Sequence, residues 1–241
     1  ASERLKHDPA MAADANAALA EAGLTLKNET PIKHMAEVLI QDIGLQEIGS
    51  GVKKPLEGIK IAGYVGCQTN RPFGIDGESF ENPMYLDNLV DTLGADSVPT
   101  YEKKVQCCGG ALAFSEPEKS QEMIKGIIEA AYDHEADMIA TPCPLCQANV
   151  EIYQDQINAT YGTKFNIPVV YYSQLISVAY GRSATDSALD GQLIRAKQLE
   201  DIAGKESRLI SLLKSPALRG FLMGWSALFT YRQCLPAAWR G

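Results

Sequence analysis

The sequence predicts an α/β domain: a mainly parallel sheet flanked by helices, with cysteines at the carboxyl ends of its strands and a helical C-terminal appendage. Three observations predict it. Short Val/Ile/Ala/Tyr-rich runs alternate with longer stretches in which apolar residues recur every three or four positions. The short runs are apolar throughout, as strands covered on both faces are. Three of the four are followed almost at once by cysteine.

Residues 3–23 are polar and Ala-rich and predict a helix rather than a signal peptide. Residues 31–48 predict a second, with Ile32, Met35, Ala36, Leu39, Ile40 and Ile43 on one face, ended by Gly49-Ser50-Gly51. GIKIAGYVGC, residues 58–67, predicts the first strand with Cys67 at its carboxyl end. A helix over 83–94 and a second strand over 96–101 lead into VQCCGG, residues 105–110. Ser115-Glu116-Pro117-Glu118 fits a capping box with Ser115 as N-cap. It opens a helix over 116–136 with Met123, Ile124, Ile127, Ile128 and Ala131 on one face. A third strand over 137–141 runs into Pro142-Cys143-Pro144-Leu145-Cys146 and a helix to about residue 160, and 167–172 predict a fourth strand. Strands alternating with helices imply parallel pairing. Ligands of open α/β sheets lie beyond the carboxyl ends of strands, so Cys67, Cys107, Cys108, Cys143 and Cys146 are expected to converge on one rim.

The 241 residues suffice for one large α/β domain. A net charge of −8 argues against a nucleic-acid partner, and no twenty-residue apolar run suggests a membrane span. Five of the six cysteines fall between Cys67 and Cys146, which suits metal or redox use better than a disulfide framework. Residues 184–206 are polar and predict a helix. After Glu206 there is no acidic residue, while Arg208, Lys214, Arg219, Arg232 and Arg240 follow. Leu218, Phe221, Leu222, Trp225, Leu228 and Phe229 share a helical face there, making a basic amphipathic appendage. A partner contact, a membrane surface through 216–239 and local core are all open for it.

Four chemistries compete for the cysteines. Buried thiols pack as small hydrophobes. Structural zinc takes four ligands, fewer than the five thiols present. A Cys-x-x-Cys redox pair uses Cys143 and Cys146 alone. A polynuclear iron–sulfur cluster offers several coordination points, so that the diverging side chains of Cys107 and Cys108 can meet different metal atoms. Gly109 and Gly110 would let the backbone approach such a cluster and aim N–H groups at it.

The segments YVGCQTNRP, VQCCGGAL, TPCPLCQANVEIYQ and IPVVYYSQLISVAYG resemble the cysteine-rich "CCG" module of the heterodisulfide reductase B-subunit family over about residues 31–181. Its relatives include glycolate oxidase and lactate-utilisation iron–sulfur subunits and the anchor subunits of some succinate and fumarate reductases. The resemblance implies that Cys67, Cys107, Cys108, Cys143 and Cys146 ligate a non-cubane [4Fe–4S] cluster that makes or cleaves disulfide bonds, with Gly109 and Gly110 beside it. Full-length members carry two modules, and residues 1–66 contain no cysteine. The chain therefore matches the second module and the linker before it. Either the first module is missing or the chain, which opens on Ala1, begins after it; only then is there a second cluster. The implied division is a helical linker over 1–50, the iron–sulfur domain over 51–182 and the extension over 183–241.

The continuation ALDGQLIRAKQLEDIAGK is similar to the B-type subunit of the heterodisulfide reductase-like complex of sulfur-oxidising bacteria. That likeness implies flavoprotein A-type and ferredoxin-like C-type partner subunits, a lipoate-binding protein as sulfur carrier, and a place in the cytoplasm or against the inner face of the cell membrane. The rival is the anchor-type subunit of a succinate:quinone or fumarate reductase. A non-catalytic scaffold is the third reading. His134 is expected at the surface, and Cys234 is expected not to be a ligand.

Overall fold

A computed structural model describes residues 2–27, 32–71 and 74–205. Within them four parallel strands, β1 (Lys60–Gly63), β2 (Asp96–Ser97), β3 (Met138–Thr141) and β4 (Val169–Tyr171), lie in the order β2-β1-β3-β4. Ile61 pairs with Ser97 on one side and Met138 on the other, and Ile139 with Val169. The predicted α/β class with a parallel sheet is what the chain adopts. The strands are shorter than their apolar runs, and β2 keeps only two residues of the predicted 96–101.

Side chains alternate across the sheet, and both faces are covered. Ile61, Met138, Ala140 and Val170 join one core with Leu86, Leu89, Val90, Leu175 and Leu199. These come from helices α5 (Tyr85–Thr92), α9 (Tyr172–Ala179) and α10 (Lys197–Gly204). Ala62, Tyr64, Ile139 and Val169 join the other with Ile124, Ile127, Ile128, Val150 and Ile157. Those belong to α6 (Pro117–Asp133), α7 (Pro144–Ile152) and α8 (Gln154–Tyr161).

Several boundaries differ from the sequence reading. The first helix is two, α1 (Ser2–His7) and α2 (Pro9–Ala20), because Pro9 starts a new turn behind the Asp8 cap; no residue of α2 is buried. The predicted 31–48 helix is α3 (Met35–Glu37), a π-helical stretch Val38–Gly44, and α4 (Leu45–Ser50). Ile32 precedes α3, and the π-helical turns before Gly44, which has φ 92°, do not keep the α-helical spacing; Ile32, Met35 and Ile43 are exposed rather than facing the core. Ser115 is not an N-cap: Pro117 occupies the first turn, Glu116 precedes it, and no side chain caps the helix. Tyr153 separates α7 from α8, which were expected as one helix. Of the predicted 184–206 helix only α10 forms. The loop before it is held where the Gln174 amide donates to the carbonyls of Ser187 and Ala188. The appendage face from Leu218 to Phe229, the 216–239 contact and Cys234 lie outside the described residues.

Candidate cysteine site

Because β2 lies on one side of β1 and β3 on the other, successive crossovers diverge between β1 and β3, and the rim above that gap is where α/β sheets bind ligands. Cys67 follows β1, Cys107 and Cys108 follow β2, and Cys143 and Cys146 follow β3. All five surround this rim, as expected from the sequence.

Each loop is set by local chemistry. Past β1, Gly66 turns the chain at φ 70°, and the amides of Asn70 and Arg71 fold back on the Cys67 carbonyl at 3.3 and 2.9 Å. The Val65 and Gly66 amides donate to the Lys104 carbonyl at 3.0 and 3.1 Å, tying this turn to the double-cysteine loop. The Lys104 ammonium is buried and reaches Asp87 at 2.5 Å, the Pro99 carbonyl at 2.9 Å and Asn82 at 3.1 Å. Its three N–H bonds are thereby used. Burial outweighs this partner at Asp87, whose carboxyl is pushed up to about 6.

Gly109, at φ 71°, sends the double-cysteine loop onto the first turn of α6, where the Ser120 hydroxyl donates to its carbonyl at 3.1 Å. A Cβ at Gly109 would lie 3.1 Å from Ser120 Cα, so glycine is required for closeness as well as for φ. The Gly109 amide donates to Cys107 Sγ at 3.3 Å. The Asn149 amide, from α7, donates to the Cys108 carbonyl at 2.8 Å. In the third loop, Cys143 caps α7 itself: its Sγ accepts the Cys146 amide at 3.4 Å, with Pro144 in the first turn.

The thiols divide into two groups. Cys108, Cys143 and Cys146 are buried, while Cys67 and Cys107 are partly open. The hydrogen bond from Cys146 is the largest influence on Cys108 and Cys143, bringing each down to about 6, and the same bonds push Cys146 up. Cys67 is raised to about 11, by burial first and then by its hydrogen bond with Cys107. Among the described residues no three His, Cys, Asp or Glu side chains form a site for a single metal ion.

Glycines bring the backbone close to the sulfurs. A Cβ on Gly66 would lie 3.2 Å from Cys146 Sγ, and one on Gly110 3.5 Å from Cys108 Sγ and 3.1 Å from Leu145. Five soft thiol donors on three loops, with glycine where a side chain would crowd the sulfurs, fit an iron–sulfur cluster. Gly66, Tyr64, Ser120, Lys104 and Asn149 were not singled out in the sequence; a glycine directly before Cys67 was the one available signal. His134 lies away from this rim, half exposed, with Nε2 3.2 Å from Glu102. A cleft of about 540 Å³ lined by Pro144, Gln147, Glu151, Tyr171 and Gln192 lies on the opposite face of α7 from Cys146 and Asn149, so it is separate from the thiols.

Residues 61–151, which include all five cysteines, match the "Cysteine-rich domain" family CCG. The chain is 32% identical over 195 residues to the B subunit of the ferredoxin/F420H2-dependent CoB-CoM heterodisulfide reductase of Methanosarcina acetivorans, covering 79% of this chain and 64% of that one. The chain thus carries a CCG cysteine-rich domain and is similar over most of its length to heterodisulfide reductase B subunits. It is also 35% identical over 185 residues to the 8-methylmenaquinol:fumarate reductase membrane anchor subunit of Wolinella succinogenes, covering 76% of this chain and 64% of the anchor. The chain spans a little under two thirds of each relative's length. A hypothetical protein from Helicobacter pylori, known from its crystal structure, shares the fold at a TM-score of 0.60 and 13% identity, over 81% of this chain and 35% of its own. No helix among the described residues is long and apolar enough to cross a membrane.

Proposed function

We propose that the chain is the iron–sulfur subunit of a heterodisulfide reductase-like complex that makes or breaks disulfide or persulfide bonds, with residues 51–182 as the working domain. The carrying observation is the division of five thiols into a buried trio and a partly open pair around one strand-end rim. Cys108, Cys143 and Cys146 would hold a non-cubane [4Fe–4S] cluster from within, and Cys67 and Cys107 from the rim. When bound, such a cluster passes electrons singly and holds sulfur on iron. The chain's own part is positioning. The inner thiols are packed among Ile124, Val150 and other side chains of one core, which keeps water from that side. The partly open pair leaves an approach for a sulfur substrate. Leu145 is half exposed beside it, and Phe114 is exposed on the loop that follows Gly110.

Sulfur oxidation, with flavoprotein and ferredoxin-like partner subunits and a lipoate-bound sulfur carrier, is the branch favoured by the likeness of residues 188–205. This reading puts the protein in the cytoplasm or against the inner face of the membrane. The 35% identity to a fumarate reductase anchor subunit favours a second reading, an electron-transfer subunit at a membrane surface. The complete set of five thiols speaks against a scaffold without chemistry.

Protein purified without oxygen should be brown, with about four irons and four sulfides per module. Oxidation in the presence of thiol should bring up an EPR signal. Colourless protein carrying zinc would overturn the reading. Cys108→Ser should lose the iron and Cys234→Ser should keep it; equal effects would overturn the ligand set. Co-purification with a lipoate-binding protein supports the sulfur branch, and with a covalent-flavin subunit the second.

A further inference from the structure

Tyr64 continues β1 beyond Gly63, its amide donating to the Ala140 carbonyl at 2.8 Å. Its side chain is fully buried in the core that holds the inner thiols. A phenylalanine would fill that space equally well, and a buried hydroxyl without a partner costs about 1–3 kcal/mol. The hydroxyl donates to the Gln106 carbonyl at 2.6 Å, one residue before Cys107. That bond uses the phenol's one proton at the root of the double-cysteine loop. On its other side a Cβ placed on Gly66 would meet both the Tyr64 oxygen, at 3.5 Å, and Cys146 Sγ, at 3.2 Å, so the ring also borders the Cys-x-x-Cys loop.

We propose that Tyr64 is a positioning residue of the cysteine site: its hydroxyl ties the Gln106–Cys107 backbone to the end of β1. It thereby sets the spacing between the outer thiol of Cys107 and the inner thiols of the core that buries the Tyr64 ring. The tether stands on the hydrogen bond to Gln106 and does not depend on what the thiols hold.

The test compares Tyr64→Phe with Tyr180→Phe, both of which keep the aromatic ring. Tyr180 donates to the Ile48 carbonyl at 3.1 Å, so its change removes a bond of the same kind far from the thiols. In iron-free, reduced protein, alkylation of Cys107 by iodoacetamide, followed by mass spectrometry, should quicken about fivefold in Tyr64→Phe, the equivalent of one ordinary hydrogen bond. It should be unchanged in Tyr180→Phe. Equal alkylation rates in the two variants would overturn the tether.

Discussion

The two faces of the sheet are built from the same kinds of strand residue yet do different work. One core is nearly all hydrocarbon, with Ile61, Leu86, Leu89, Val170 and Leu175 fully or almost fully buried beside the rings of Tyr85 and Tyr172. The other is equally dry but admits Cys108, Cys143, Cys146 and Tyr64 where it reaches the strand ends. The first has only to exclude water. The second has also to accommodate three thiols and the Tyr64 hydroxyl, so small changes there act on the site before they act on stability.

That contrast is broken most severely where the aliphatic face meets the loops. Lys104→Met leaves Asp87 buried and unpaired and should cost about 3–5 kcal/mol at neutral pH by denaturant titration. The penalty should shrink as the pH falls from about 7 to 5. The Asp87 carboxyl, already pushed up to about 6, takes a proton once its partner is gone, so the folded variant binds more protons than its unfolded chain and gains stability as pH falls. A penalty independent of pH would mean that the pair carries no charge. Leu89→Ala, inside the aliphatic core, should cost about 3 kcal/mol yet leave thiol alkylation rates in the folded protein unchanged.

On the thiol face the order of effects reverses. Gly66→Ala forces a left-handed φ on alanine and presses a methyl toward Cys146, so a loss of about 1–2 kcal/mol is expected together with faster alkylation of Cys146. Unchanged alkylation would show that the sulfur has room to move. Cys67→Ser, at a partly open position, should change the stability of iron-free protein by no more than about 0.5 kcal/mol. It should nonetheless lower iron retention, and a variant that keeps full iron would remove Cys67 from the site.

Much of the fold was legible because buried parallel strands leave apolar runs, and β1, β3 and β4 lie within the runs that announced them. The segment over 31–48 misled because its apolar spacing fits an unbroken helix, while the turn at Gly44 is visible only as one more glycine. Ser115 misled because Ser-x-x-Glu and Pro117 each signal a helix start, and the two signals disagree by one residue. At the site the cysteines announced themselves by type and spacing. Tyr64, Lys104 and Asn149 did not, since their partners, Gln106, Asp87 and the Cys108 carbonyl, are 42, 17 and 41 residues away in sequence.

By itself the sequence determined which groups are available: apolar runs that must be buried together, thiols at the ends of three of them, and glycines where the chain turns. Those properties are local, fixed by residue chemistry and by neighbours within a helical turn or a strand. Only the tertiary structure decided the strand order β2-β1-β3-β4, which opens the gap above β1 and β3. It alone divided the five thiols into an enclosed trio and a partly open pair, because burial depends on what the distant helices α6 and α7 bring over the strand ends.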